Sequence, residues 1–114
     1  MKRQKRQELV LLGAFEEQVM LAVIRTGAGA YGMSVRRELE EVTRREVTIG
    51  SVYATLDRLE AKSLVTSSRS AADSDAPSRR LFIVTTAGAH CLAFTRTTRD
   101  RLWSGVDLRM LLEA

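Results

Sequence analysis

The sequence predicts a mainly α-helical fold with one small β-hairpin. Over the first half of the 114 residues, apolar positions repeat at spacings of three and four, which is the period of amphipathic helices. The pattern then shortens into two runs typical of strands, and a helical period returns in the last third of the chain. The predicted order is helix, helix, helix, strand, loop, strand, helix.

The composition contains enough apolar residues to form a hydrophobic core, and it limits the functions that the protein can have. Hydrophobic residues make up 45% of the chain and aromatic residues only 5%, so we expect an aliphatic core. Lysine and arginine total 18 against 14 acidic residues, and the net charge of +4 favours an anionic partner such as nucleic acid. A single cysteine excludes an internal disulfide. Neither a signal-peptide pattern nor an apolar run long enough for a membrane span occurs, which predicts a cytoplasmic protein without a membrane partner.

Two helical patterns open the predicted domain. The apolar face of the first helix consists of Leu12, Phe15, Val19, Ala22 and Val23. Gly27 and Gly29 close that helix, and Gly32 then permits a turn into the second. The apolar face of the second helix consists of Val35, Leu39 and Val42.

A third helix and a hairpin follow. The helix is predicted over residues 49–62, with Thr48 as its N-cap. Two short runs, residues 64–68 and 81–85, have the composition and alternation of strands. The polar segment 70–78 contains the only proline and is predicted to be the loop that joins them. Three helices followed by a two-stranded hairpin is the plan of a winged helix-turn-helix domain.

A long fourth helix is predicted over residues 86–104, with Thr85 as its N-cap, and Gly105 separates it from a short amphipathic tail. The chain therefore divides into a flexible basic arm (1–9), a winged helix-turn-helix domain (10–86) and a C-terminal dimerisation helix with its tail (87–114). Residues 1–7 of the arm contain no acid, and a solvated tail without a role is an equally good interpretation of it. Its cations are Lys2, Arg3, Lys5 and Arg6.

The third helix has the face of a DNA reader. At 100° per residue, one side gathers the apolar residues Ile49, Val52, Leu56 and Leu59. The opposite arc is small, hydroxylated or cationic: Gly50, Ser51, Ala54, Thr55, Arg58, Ala61 and Lys62. We expect Asp57 and Glu60 to fall toward the core edge, with Tyr53 beside them. A helix in the major groove needs small side chains, donors, and no carboxylates aimed at phosphates. An ordinary solvent face that lacks acids is the alternative.

Within that arc, Arg58 is the most informative residue. An arginine spans two acceptors on guanine or clamps a phosphate with the same fork. Its distance from the start of the helix favours the phosphate, which leaves Ser51, Ala54 and Thr55 as candidates for base edges. Arginines also flank the hairpin loop, where they are positioned to contact phosphates or a minor groove. The predicted DNA-binding set is Thr48, Gly50, Ser51, Tyr53, Ala54, Thr55, Arg58, Lys62, Arg69, Arg79 and Arg80.

Three motifs carry a family resemblance. GSVYATLDRLEAKSLV (50–65), AYGMSVRREL (30–39) and RRLFIVTTAG (79–88) resemble, in that order, segments of the PadR-like transcriptional regulators, and the likeness spans roughly residues 10–105. The resemblance implies DNA contact by the third helix and the wing. It also implies a homodimer, usually a repressor, held by the C-terminal and first helices. Ser63 departs from the family, which usually has a glycine ending the third helix; glycine adopts a left-handed conformation freely.

The C-terminal helix offers a candidate dimer seam. Its residues are Leu92, Arg96, Arg99, Trp103, Val106 and Met110. Packing against the first helix of the same chain is the alternative for Trp103. A pocket between subunits for a small-molecule effector, in which Trp103 stacks on a planar ligand, is a third interpretation. A dimer with two-fold symmetry predicts a pseudo-palindromic operator.

Catalytic and metal-binding patterns do not occur in the sequence. His90 and Cys91 stand alone, so we expect no metal, no cofactor and no enzyme. Cys91 is interpreted as an apolar filler in preference to a redox switch. The alternative to a DNA-binding regulator is a winged-helix adaptor that binds protein or RNA without reading DNA sequence. The basic arm and the acid-free helix face favour double-stranded DNA over the adaptor.

Overall fold

A computed structural model of the chain describes residues 9–71 and 77–113, so most of the predicted basic arm lies outside the described residues. The elements follow the predicted order, with one short C-terminal helix in addition. They are α1 (Ala14–Thr26), α2 (Gly32–Thr43), α3 (Ile49–Ala61), β1 (Val65–Arg69), β2 (Arg80–Val84), α4 (Thr86–Trp103) and α5 (Arg109–Leu112). The predicted mainly helical fold with a β-hairpin is confirmed.

The core is aliphatic, as the composition predicts, and lies among α1, α2, α3 and the hairpin. Its fully buried side chains are Val19, Met20, Val35, Val52, Leu56, Leu59 and Phe82. Phe82 on β2 is the buried aromatic residue among them. Val42 was expected on the core face of α2 but is exposed. It lies in the last turn of that helix, beyond the turns in which Val35 and Leu39 pack.

The wing is the antiparallel hairpin of β1 and β2, in register from Val65 opposite Val84 to Arg69 opposite Arg80. One further pair continues it, because the Ser70 N–H donates to the Arg79 carbonyl oxygen at 2.8 Å. The Phe82 N–H donates to the Ala30 carbonyl oxygen at 2.8 Å, which ties the start of α2 to β2. The wing is therefore anchored to the helical part of the domain by backbone bonds.

Two glycines allow close approach between elements. A Cβ built on Gly88 would lie 2.1 Å from the Leu64 carbonyl oxygen, so α4 begins directly against the backbone that leads into β1. A Cβ on Gly32 would lie 2.3 Å from the Tyr53 ring. Gly32 was expected to serve a turn, but it is the first residue of α2 and its φ is not positive. Its function in the fold is to make room for Tyr53.

Ser63, which follows the end of α3, has the left-handed geometry that the family's usual glycine at this position suggested. Ser63 has a left-handed φ of 63°. Its N–H donates to the Glu60 carbonyl oxygen, and the Leu64 N–H donates to the Leu59 carbonyl oxygen, both at 2.9 Å. This pair of bonds is the Schellman motif, in which glycine is usual. A serine therefore holds a conformation that glycine adopts at lower cost, and α3 ends at Ala61.

The C-terminal helix α4 contacts the rest of the domain from its start as far as Arg99. Thr85 caps it as predicted, since its Oγ1 accepts from the Gly88 N–H at 3.0 Å. Further along, Arg99 Nη2 lies 2.9 Å from Glu17 Oε2, and Thr95 Oγ1 accepts from the Leu12 N–H at 3.1 Å. From residue 99 to residue 113 every side chain is exposed. Within the described residues, no helix combines the length and apolar character needed to cross a membrane.

Candidate nucleic-acid interface

Helix α3 presents an exposed strip of mostly small side chains. Its members are Gly50, Ser51, Ala54, Arg58 and Ala61, which we call the α3 strip. Thr48 caps the helix as predicted: its Oγ1 accepts from the Ser51 N–H at 3.2 Å, and its carbonyl oxygen accepts from Ser51 Oγ at 2.8 Å. The strip is narrow and lacks bulk at its N-terminal end, so another surface can approach the helix backbone closely there.

Thr55, expected on the exposed arc, is only 1% exposed. It points from α3 toward the interior, and its Oγ1 accepts a hydrogen bond from Arg58 Nη2 at 3.1 Å. The expectation that Thr55 offers a base-edge contact is therefore wrong for this conformation. Its hydroxyl instead orients Arg58, which remains exposed on the strip.

One of the two carboxylates of α3 lies elsewhere than expected. Asp57 is seven residues from Gly50, hence on the same face, and its side chain is 59% exposed. Glu60 is half-buried on the side of α3 that meets the wing, in agreement with a position toward the core edge. The expectation is therefore wrong for Asp57, and the exposed face of α3 does contain an acid.

A wing arginine pairs with both of these carboxylates. Arg80 Nη1 lies 2.7 Å from Asp57 Oδ1, its Nη2 donates to Glu60 Oε1, and its Nε lies 3.2 Å from Ser67 Oγ. Ser67 donates to Glu60 Oε2 from both its N–H and its Oγ, at 2.8 and 2.6 Å. We call these four residues the Arg80 clamp. The hydrogen bonds from Ser67, and then from Arg80, hold the pKa of Glu60 below its ordinary value.

A cleft of about 370 Å³ lies beside the clamp, at the end of the strands that leads into the hairpin loop. It is lined by Tyr31, Tyr53, Arg69, Ser78, Arg79 and Arg80. The Arg79 guanidinium lies over the Tyr31 ring, 4.2 Å from its centroid, and the half-exposed Tyr53 closes the other side. Tyr31 was not predicted as a site residue, because only the fold brings it beside the wing.

The cations divide into two groups. Paired with carboxylates are Arg25, Arg36, Lys62, Arg80, Arg99 and Arg109. Within residues 9–71 and 77–113, no carboxylate lies within 4.0 Å of Arg37, Arg44, Arg45, Arg58, Arg69, Arg79, Arg96 or Arg101. Lys62, a predicted DNA-binding residue, is 3.0 Å from Glu16. Of the predicted DNA-binding cations, Arg58, Arg69 and Arg79 thus have no acidic partner in the part of the chain that the structure describes.

Arg45 adds a cation that the sequence reasoning did not single out. With Thr48 and Ser51 it lines a cleft of about 480 Å³ at the N-terminal end of α3. The signal was the adjacent pair Arg44 and Arg45, which Glu46 and Val47 separate from the predicted N-cap. Arginines without a carboxylate partner among the described residues therefore lie before the α3 strip, on it, and on the wing beyond it.

The family comparison agrees with this geometry. The chain matches the model of the transcriptional regulator PadR-like family over residues 20–93, more than half of its length. The chain belongs to the PadR-like family of transcriptional regulators. That family consists of regulators and not of enzymes.

Solved structures share the PadR-like fold of this chain. A PadR-like regulator from Bacillus cereus is 22% identical with a TM-score of 0.68, covering 90% of this chain and 94% of that one. A PadR family regulator from Eggerthella lenta is 24% identical with a TM-score of 0.65, covering 84% and 81%. RosR from H. salinarum is 27% identical with a TM-score of 0.58, covering 90% and 87%. No curated protein matches the chain.

The predicted dimer seam of this PadR-like chain separates into two parts. Leu92 is only 9% exposed and belongs to the core of the single chain, and Arg99 is held by Glu17. Arg96 is exposed, and so are Trp103, at 58%, and the predicted seam residues Val106 and Met110. The alternative that Trp103 packs against the first helix of its own chain is therefore wrong. Other exposed apolar side chains are Leu9, Val10, Leu11, Leu21, Ile24, Leu102, Leu111 and Leu112.

Proposed function

We propose that this PadR-like regulator is a cytoplasmic repressor that binds a pseudo-palindromic operator in double-stranded DNA as a homodimer. The α3 strip supports the proposal most strongly, because small side chains and one unpaired arginine are what a helix in the major groove requires. The unpaired arginines on either side of the strip are placed to contact the phosphates that border the groove.

The proposed docking assigns different tasks to different arginines. Arg58 lies on the strip with its Nη2 held by Thr55 Oγ1, so its fork is directed before DNA arrives. It contacts a guanine or an adjacent phosphate. Arg45, Arg69 and Arg79 contact the backbone, which gives affinity for any sequence and a steep dependence on salt. Ser51 and Ala54 then face base edges, including a thymine methyl group.

The proposed dimer covers the apolar residues of the C-terminal segment. Trp103, Val106 and Met110 are exposed in the single chain, and burial of each contributes roughly 1.5–3 kcal/mol before the costs of association. A two-fold dimer places two α3 helices one turn of DNA, or a multiple of it, apart. The half-sites of the operator follow the same spacing.

The test is a fluorescence-anisotropy titration of the duplex upstream of the gene's own operon, with a scrambled duplex of equal composition as the control. The proposal predicts tighter binding to the upstream duplex and a two-to-one stoichiometry of chain to operator. Equal binding to both duplexes at physiological salt would favour the adaptor alternative and contradict sequence-specific regulation. Light scattering of the free protein at micromolar concentration checks the dimer independently.

A second candidate function concerns an effector. Leu102, Trp103 and Val106 border a shallow apolar depression of about 160 Å³. In a dimer this surface offers a flat aromatic face on which a planar aromatic molecule would stack. Titration with planar aromatic compounds should quench the fluorescence of Trp103 and shift operator affinity. Unchanged fluorescence and affinity would exclude the compounds tested as effectors.

A further inference from the structure

We propose that Arg80 is a positioning residue for DNA binding: it holds the wing against α3 and pairs with Asp57 and Glu60, and it makes no phosphate contact of its own. The inference rests on the proposed function, because it concerns the surface that meets DNA. It also revises the expectation from the sequence, which grouped Arg80 with Arg79 as equivalent wing contacts.

The guanidinium of Arg80 is bound within the domain through each of its three nitrogen atoms, whose partners are Asp57, Glu60 and Ser67. Three of its five N–H groups are used in these bonds. Its carbon Cζ lies 4.8 Å from the centroid of the buried Phe82 ring. Its side chain is 29% exposed, the lowest exposure among the cations of the observed ion pairs. A phosphate that drew Arg80 away from these partners would expose two carboxylates.

The charges of Asp57 and Glu60 explain why that exchange is unfavourable. Both carboxylates lie on or beside the face of α3 that is proposed to meet DNA. At 0.1 M salt, charges interact over about 10 Å before screening dominates, so uncompensated carboxylates there would repel the phosphates. Arg80 places one positive charge against these two carboxylates, so the negative charge of this part of the DNA-facing surface is reduced by ion pairs with the wing and not by composition.

The clamp also ties both strands of the wing to one helix. Arg80 comes from β2 and Ser67 from β1, and both donate to the carboxylate of Glu60 on α3. Glu60 lies in the last turn of α3, close to where the chain passes into the wing. The distance from Arg58 on the strip to Arg69 and Arg79 on the wing is therefore set before DNA binds. A wing released from α3 would lose conformational freedom on binding and so bind more weakly.

Arg79 provides a matched comparison in the adjacent position. It is exposed, has no carboxylate within 4.0 Å among the described residues, and contacts only the Tyr31 ring through its side chain. Arg79 is thus free to reach a phosphate, whereas Arg80 is not. Two neighbouring arginines of equal charge should then affect DNA binding in different ways.

The test measures affinity for the operon's own upstream duplex as a function of salt for the wild type, Arg79→Ala, Arg80→Ala and Arg80→Lys. Arg79→Ala should flatten the slope of log affinity against log salt by about one, since one phosphate contact is lost. Arg80→Ala should lower affinity roughly tenfold at fixed salt, because the wing is released and because Asp57 and Glu60 lose their cation, and the added repulsion of phosphates should also flatten the slope. Arg80→Lys should lose most of the same affinity, because lysine keeps the charge but lacks the fork that joins Asp57 to Glu60.

Amide hydrogen exchange at Ser67 supplies a readout that does not depend on DNA. Its N–H donates to Glu60, and it should exchange faster in both Arg80 variants than in Arg79→Ala. Wild-type affinity in Arg80→Lys, with exchange at Ser67 unchanged in both Arg80 variants, would overturn the inference in favour of a direct phosphate contact. If the wild type does not prefer its upstream duplex, the proposed function itself fails, which is a separate result.

Discussion

The winged domain and the C-terminal segment of this PadR-like chain treat apolar residues in opposite ways. Between α1 and the middle of α4, leucine, valine and methionine side chains form one buried core with Phe82. From residue 99 onward, Leu102, Trp103 and Met110 are exposed, although these side chains are as apolar as those of the core. One chain thus completes its own winged domain, whereas the C-terminal segment presents apolar surface that a second copy is proposed to cover.

The largest effect is expected from Gly88→Ala, which should destabilise the winged domain. A Cβ at this position would lie 2.1 Å from the Leu64 carbonyl oxygen. That atom belongs to the backbone, which cannot move aside as the end of a flexible side chain can. We expect a loss of about 3 kcal/mol or more in the free energy of unfolding, measured by urea denaturation. Gly50→Ala is the control, because a Cβ there meets nothing within 4 Å and should be neutral or stabilising. Equal stability of Gly88→Ala and the wild type would contradict the close packing of α4.

The next effect addresses the C-terminal segment. Replacement of Trp103 and Met110 by serine should weaken the dimer at least tenfold, because each exposed apolar side chain contributes on the order of 1.5 kcal/mol or more when buried. Sedimentation equilibrium measures the dissociation constant. Val42→Ser removes an equally exposed apolar residue from α2 and should leave dimerisation unchanged. A dimer constant unaffected by the double change would place the interface elsewhere.

A smaller effect is expected at the end of α3. Ser63 has a φ of 63°, so Ser63→Gly should relieve the left-handed conformation and raise the free energy of unfolding by about 0.5–1 kcal/mol. Ser63→Ala should lower it, since alanine gains nothing from the hydroxyl and keeps the Cβ. Thermal denaturation of the three proteins ranks them. A higher stability of Ser63→Ala than of Ser63→Gly would argue against a left-handed residue at this position.

The smallest effect is a pH dependence confined to the Arg80 clamp. The folded state holds the pKa of Glu60 below its ordinary value of 4.5, first through Ser67 and then through Arg80. A carboxyl with a lowered folded pKa stabilises the fold above its unfolded pKa, and this contribution disappears as pH falls through the folded pKa. The amide resonance of Ser67 should therefore titrate with a midpoint below 4.5. Glu60→Gln should abolish this titration, and a midpoint above 4.5 in the wild type would contradict the clamp.

Local chemistry in the sequence predicted much of the winged domain. The element order, the caps Thr48 and Thr85, and the unusual residue Ser63 all depend on interactions within about five residues. Such interactions leave signals in a single stretch of sequence, because the partners are neighbours in the chain. The α3 strip followed from the same periodicity.

Contacts between residues that are far apart in the sequence could not be predicted from such local signals. A helical wheel gives the angle of a side chain but not the element that lies opposite, so the burial of Thr55 and the pairing of Asp57 were missed. Arg80 is 23 residues from Asp57 in sequence, and only the folded wing brings them together. Leu92 and Trp103 share the apolar pattern of one helix, yet only Leu92 meets the core.

The central claim is that the face of α3 that carries Arg58 enters the DNA groove, and the most direct test is the operator affinity of Arg58→Ala at fixed salt. The account predicts a loss of about 1–3 kcal/mol in binding free energy, with only a small decrease in melting temperature, because Arg58 is exposed and gives up one hydrogen bond, to Thr55. Arg37→Ala is the matched control, since Arg37 is an exposed arginine on α2 without a carboxylate partner among the described residues. Its affinity should change little. Equal affinity of Arg58→Ala and the wild type would contradict the claim that this face of α3 meets DNA.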